Sequence, residues 1–285
     1  MLVHGNANPD DAKAISSTII DKLNPQPLFT SCVVENRIVQ LDSSVEYVHR
    51  LAEYNPDDAN SCVNFVLQVG QVDIHTNAVL AFVHHLMKEP AFNELRSTEQ
   101  LGYIVHTSVK TNGDDIKGLL FLIQSDAYDP IYLDTRIEAF LERFRKKIVS
   151  MSEDEFQENK DAVMEKFLEK NKNLAQESTK YWNAIYNRSY LFRKHQLIAE
   201  EVKDIFITEV LTFFDKYVAK GGKNRKKICT QVFGKNCVEK MDEGKDDENS
   251  SVNYIGSEDA VNFKRGMSLY SLPKIVNVSA MKLDS

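Results

Sequence analysis

The stretch AFNELRSTEQLGYIVHTSVK, residues 91–110, passes from helical to strand character within one run. Phe92 and Leu95 share a helix face, and the run YIVHTSVK that follows reads as a strand. A glycine, Gly102, stands between the two segments, and its tolerance of the left-handed conformation lets it close the helix. That closure puts Arg96 and Glu99 near the last turns and Tyr103 in the first strand position.

Working outward, GLLFLIQS pairs with YIVHTSVK through TNGDDIK, a hairpin with Asn112-Gly113 as its turn candidate. Upstream, Val79, Phe82, Val83, Leu86 and Met87 fall at i, i+3, i+4, i+7 and i+8 of a helix that Pro90 interrupts, permitting a second start. Before it come three strand-like runs, VVENRIVQL, VEYVHRLAEY and VNFVLQV. The chain begins with a short apolar segment, LVHG, and a helix over PDDAKAISSTIIDKL that NPQP stops; Ala12, Ile15, Ile19, Ile20 and Leu23 form its apolar stripe.

Downstream, residues 131–219 read as helices. Leu133, Ile137, Phe140, Leu141, Phe144 and Ile148 make one stripe, and Ser152 with Glu155 forms a capping box for the next helix. KICTQVFG is a sixth strand, and the polar run EKMDEGKDDENSS reads as a mobile loop. Strands and helices come in blocks, which predicts an α+β fold: a mostly antiparallel six-stranded sheet with helices packed on one face.

The 285 residues, 42% of them hydrophobic, suffice for a substantial core. A net charge of -7 offers no basis for nucleic-acid or anionic-membrane binding. No run reaches the roughly 18 apolar residues of a membrane span, and MLVHGNANPDD lacks the order of a secretory signal, so the expected location is cytoplasmic. Cys32, Cys62, Cys229 and Cys237 are scattered and read as reduced and mostly buried.

Chemistry concentrates at the opening stretch. Arg96 either pairs with Glu94 or Glu99 on a solvated face, with Tyr103 an ordinary strand aromatic, or guanidinium and phenol both donate to a peptide carbonyl. Spacing alone leaves both open. His84-His85 with Glu89 is the nearest approach to a metal motif, but adjacent histidines on a helix point about 100° apart and cannot face one ion. His49, His75, His106 and His195 stand alone. HExxH, G-x-S-x-G, C-x-x-C and the phosphate loop are absent, which leaves an independent hydrolase or nucleotide-binding enzyme without support.

The run F-x-x-L-R-x-x-E-Q-L-G-Y, Phe92 to Tyr103, resembles the C-terminal signature of the insulysin family of pitrilysin-type inverzincin peptidases. LVHGN at the start, LLFLIQS at 119–125, RIEAFL at 136–141, KYW at 180–182 and FKRGMSLYSL at 263–272 resemble that family in the same order. The resemblance implies four related α+β domains in two halves closing round a peptide. Residues 1–29 would then be the strand and helix ending the third domain, and residues 30–285 the fourth. It also implies the C-terminal, substrate-binding portion of a zinc metalloendopeptidase that degrades short peptides such as insulin. Its partners would be peptides and a zinc-bearing N-terminal half. The alternatives are a non-catalytic peptide-binding or structural relative, or a truncated product without function.

Family catalysis uses H-x-x-E-H, absent here, so the chain is expected to carry no zinc or other cofactor and no turnover alone. By the same resemblance Arg96 and Tyr103 hold the substrate backbone, Tyr103 assists the developing oxyanion, and Phe92 lines the pocket beyond the scissile bond. LEKNKNL, residues 168–174, lies where the family has a lysine-rich anion-binding segment; Asn171 and Asn173 replace a proline and a lysine, which weakens Lys170 and Lys172 as anion ligands. These two, with Lys223, Arg225, Lys226 and Lys227, read as solvated helix ends. The unpartnered first helix predicts repacking or self-association.

Overall fold

Alternation in SCVNFVLQVGQ, Ser61–Gln71, buries Val63, Phe65 and Leu67 completely on one face and turns Cys62, Asn64 and Val66 to the other. This strand, β2, sits inside a six-stranded sheet in the computed structural model, which describes residues 1–29, 32, 37–112, 115–187, 189–245, 251–256 and 259–272. With β1 (Val45–Ala52), β3 (Ile104–Asn112), β4 (Ile116–Ser125), β5 (Lys226–Phe233) and β6 (Val252–Ile255), the strand order is β3-β4-β2-β5-β1-β6. The pairings β3/β4, β4/β2 and β2/β5 are antiparallel, while β1 runs parallel to both β5 and β6. The sheet is thus mixed but mostly antiparallel, and β3 forms one edge.

The hydrophobic face of this sheet is covered by α2 (Ile74–Ala91), α3 (Pro130–Val149) and α7 (Ile207–Tyr217), with α4 (Glu153–Leu168) and α6 (Lys194–Lys203) packed on α2. Asp73 caps α2 through the Thr76 amide and Asp129 caps α3 through the Tyr132 amide. Every residue of the two expected stripes, from Val79 to Met87 and from Leu133 to Ile148, is buried. Phenylalanines stitch the layers together: Phe65 meets Phe121 edge-on at 5.8 Å, Phe121 meets Phe140 at 6.2 Å, and Phe144 meets Phe214 at 5.9 Å. Of the capping box expected at Ser152, the Glu155 amide donates to Ser152 Oγ at 3.2 Å.

Several expectations are corrected here. Of the run VVENRIVQL, the described residues 37–41 form no strand, Val39 making an isolated bridge to Leu269, and residues 33–36 lie outside the described residues. The sixth strand is β6, whose four residues are too few to reveal a period of two and which forms by parallel addition to β1. In the polar run 239–251, Val238–Asp242 is a 3-10 helix, and residues 246–250 lie outside the described residues. The hairpin turn at 113–114 lies outside them too. Of the cysteines, Cys229 and Cys237 are buried, Cys62 is intermediate and Cys32 exposed.

The largest correction concerns the basic run. Arg225, Lys226 and Lys227 are buried at 3%, 8% and 3% exposure rather than solvated. Strand alternation points Lys227 under α3, where its Nζ donates to Asp134 at 2.7 Å, Glu138 at 2.9 Å and Glu46 at 3.3 Å. Arg225 donates to Glu46 and Glu138 at 2.6 Å and to the Val218 carbonyl at 3.0 Å. Burial works against the Lys227 charge, yet the three carboxylates outweigh it and raise its pKa.

By contact the chain divides into two compact units, one of Met1–Arg37, Glu169–Arg193 and Ser271–Ser285, the other of Ile38–Leu168 and Lys194–Tyr270. The first contains α1 (Pro9–Leu23) and α5 (Leu174–Tyr186). Asn8 and Asp11 form a capping box on α1. Residues 2–4, expected as the end of a strand, have none to pair with among the described residues; His4 instead meets Ser178 Oγ at 2.7 Å and the Tyr181 ring edge-on at 5.2 Å. Ile15, Ile19, Ile20 and Leu23 of α1 are all exposed. The second unit holds the sheet and α2, α3, α4, α6, α7 and α8 (Ala260–Gly266). Among the described residues no helix is long and apolar enough to cross a membrane.

Candidate functional site

Contrary to expectation, Pro90 does not interrupt the helix and open a second one. α2 runs through it to Ala91 and continues as a π-helix over Phe92–Thr98. The widened turn is explicit in an i to i−5 backbone bond, the Glu99 amide donating to Glu94 O at 2.8 Å; the Thr98 hydroxyl donates to Asn93 O at 3.1 Å beside it. A proline supplies no N–H and crowds the carbonyl four residues back, so a change of register beside it follows, and such wide turns recur at functional sites.

The turn out of this helix also differs from expectation. Gln100, not Gly102, takes the left-handed conformation, with φ of 53°. Gly102 is required for space: a Cβ there would lie 1.9 Å from the Gln124 carbonyl oxygen at the end of β4. The backbone thereby passes tightly over β4, and Tyr103 emerges before β3 with 84% of its surface exposed.

Arg96 and Tyr103 meet across this turn, the guanidinium carbon 5.7 Å from the ring centroid. The carboxylates that could have neutralised Arg96 are taken by α3. Arg136 binds Glu99 through two bonds, at 2.6 and 2.7 Å, and Arg143 binds Glu94 while reaching Glu99 at 3.1 Å. Among the described residues Arg96 has no carboxylate partner. The arrangement presents a guanidinium and a phenol, both donors, at the edge of a sheet whose outer strand, β3, has one side unpaired. Arg136 and Arg143 were passed over in the sequence, although a spacing of seven places them on one helix face, which is the signal that could have found them.

Phe92 is half exposed on the π-helix and borders a cleft of about 770 Å³ between α2, β3, α4 and the end of α3. His84 and His85 diverge: His84 Nε2 lies 3.4 Å from Thr107 Oγ1 on β3, while His85 faces the cleft and Asn159 of α4. Burial depresses both imidazole pKa values, and Lys166 and Lys88 depress them further. Among the described residues no three His, Cys, Asp or Glu side chains stand close enough together to hold a metal ion.

The remaining candidates are placed elsewhere. Lys170 and Lys172 are exposed between α4 and α5, and Lys172 pairs with Glu169 at 3.1 Å, a contact open to solvent. His49 meets the Ile255 carbonyl at 3.0 Å, His195 packs edge-on against Phe167 at 5.6 Å, and His106 is exposed on β3. His75 does not stand alone: Nδ1 lies 2.7 Å from Glu201 on α6, and Nε2 contacts Glu209 on α7.

Residues 82–182 match the family model for the PQQ synthase PqqF-like C-terminal lobe domain 4. The chain is 32% identical to the peroxisomal insulin-degrading enzyme-like 1 of Arabidopsis thaliana over 94% of its length and 28% of that relative. It is 29% identical to the insulin-degrading enzyme of Homo sapiens over 99% of the chain and 29% of the relative. The crystal structure of pitrilysin superposes with a TM-score of 0.74 at 21% identity, covering 94% of this chain and 27% of that one. The chain thus spans little more than a quarter of the length of the curated relatives it matches.

Proposed function

The chain belongs to the pitrilysin-type peptidase family as a C-terminal portion related to insulin-degrading enzymes, and from that premise we propose that it is the substrate-holding part of a zinc metalloendopeptidase of short peptides. The observation that supports this reading is the Arg96/Tyr103 pair, a guanidinium beside a phenol ring, with Arg96 left without a carboxylate because Arg136 and Arg143 occupy Glu99 and Glu94. An extended peptide along the free side of β3 offers carbonyls to both groups, and Phe92 abuts the side chain that follows the scissile bond. Zinc and the activated water belong to an N-terminal half; no step on this chain passes through a metal. Tyr103 supplies a neutral O–H donor where negative charge develops on the carbonyl oxygen.

On the same reading residues 1–29 derive from the third domain and 30–285 form the fourth. The exposed apolar residues of α1 are consistent with cover by more of a longer polypeptide or by self-association. Lys170 and Lys172 are at most a weak anion contact. We place the protein in the cytoplasm, although the Arabidopsis relative is named as peroxisomal.

The test adds this chain to a zinc-bearing N-terminal half and follows a quenched fluorescent peptide. Turnover should rise with the chain present; Tyr103→Phe should lower it by about 10²- to 10³-fold, the usual effect of losing one donor to a developing oxyanion, and Arg96→Ala should lower it by loosening the hold on the peptide backbone. No rise, or a rise indifferent to both substitutions, refutes the proposal. Peptide binding that persists without turnover, and without dependence on the pair, identifies a non-catalytic binding relative instead.

A further inference from the structure

Phe92 and Arg96 lie four residues apart on the π-helix, and Tyr103 and Val105 two apart along the chain entering β3. Phe92 and Val105 both border the 770 Å³ cleft, so that cleft opens beside the donor pair. Its size suits a small ligand or a short stretch of peptide with its side chains. Its apolar wall includes Phe92, Val105 and Met151, and its cations come from three helices: Lys88 on α2, Lys147 on α3 and Lys166 on α4. None of these lysines forms an ion pair among the described residues.

We propose that this cleft selects an acidic side chain, glutamate above aspartate, on the peptide held by Arg96 and Tyr103. The inference rests on the peptide-holding reading and adds to it the chemistry of the adjacent residue. Glutamate lays two methylenes on Phe92 and Val105 and carries its carboxylate to the lysines, whereas aspartate is one methylene short. Two carboxylates, Glu89 and Glu155, border the same cleft, so three ammonium groups face two carboxylates there. Lys88 and Lys166 also bear on His84 and His85, so their potential reaches the cleft wall. A lysine on the peptide meets an excess of like charge there, and glutamine gains no charge-assisted bond. The chain as a whole carries -7, so a preference for glutamate runs against its overall field and reports a local site.

The test measures binding of fluorescein-labelled neutral peptides to the whole chain by anisotropy, with a single glutamate, glutamine, aspartate or lysine moved along the sequence. At one position glutamate should bind about tenfold tighter than glutamine, equivalent to roughly 1.4 kcal/mol. Lysine should be weakest there. The Lys147→Gln/Lys166→Gln double variant should bring glutamate and glutamine to within about twofold of each other, and added salt should do the same. These lysines are exposed, so the variant keeps its fold. Arg96→Ala should weaken every peptide alike. Binding without a glutamate preference, a preference spread evenly over all positions, or one that survives loss of both lysines overturns the inference and leaves the peptide-holding reading standing. No binding, or binding indifferent to Arg96→Ala, overturns both.

Discussion

Replacing Lys227 with methionine isolates the effect of the buried charges under α3. The Lys227 and Glu138 side chains are 4% and 14% exposed, and the ammonium lies within 3 Å of two carboxylates, 2.7 Å from Asp134 and 2.9 Å from Glu138. At an effective dielectric constant of about 20, each contact is roughly 6 kcal/mol of gross attraction. Desolvation of the ammonium, together with repulsion among Asp134, Glu138 and Glu46, cancels most of this. Without Lys227, Glu46 and Glu138 keep Arg225 as their cation, and Asp134 keeps the neutral Gln231 amide. Breaking a buried network by removing one partner costs about 3–5 kcal/mol, a large share of the roughly 5–15 kcal/mol that stabilises a domain. Urea unfolding followed by circular dichroism should show the midpoint falling by that loss divided by m, with an unchanged m value. Adding Asp134→Asn and Glu138→Gln to Lys227→Met should recover most of the loss, because the cost lies in stranded anions. A single variant within about 1 kcal/mol of the parent, or a triple variant no better than the single, refutes this account.

Gly102→Ala should destabilise by about 2 kcal/mol or more in the same assay, because its Cβ would sit 1.9 Å from the Gln124 carbonyl oxygen, whereas Gln100→Gly should be neutral or stabilising by about 1 kcal/mol at φ of 53°. Hydrogen bonds to Glu201 and then Glu209 raise the His75 pKa. The stability this confers is therefore complete below the unfolded value and disappears as pH rises through the higher folded value. All three side chains are at least a third exposed, so the gain is below about 1 kcal/mol, and the stability difference between parent and His75→Gln should shrink on raising the pH from about 6 to about 9. A difference that grows with pH would contradict it.

Local periodicity determined much from sequence alone. The stripes Val79 to Met87 and Leu133 to Ile148, and the alternation in Ser61–Gln71, announced their buried faces because burial of apolar side chains at a period of 3.6 or 2 is written in neighbouring residues. The run from Phe92 to Tyr103 likewise carried its family signature in contiguous residues. Only the tertiary structure decided the charges. Lys227 looked solvated until β5 brought it under Asp134 and Glu138, and Arg96 was left without a carboxylate because residues of α3 took Glu94 and Glu99. The same holds for Gly102, whose constraint is the carbonyl of Gln124 on a different strand. The partner of a charge, or the atom crowding a backbone, is fixed by which distant segments the fold brings together, and periodicity reports the direction of a side chain without saying what it will meet.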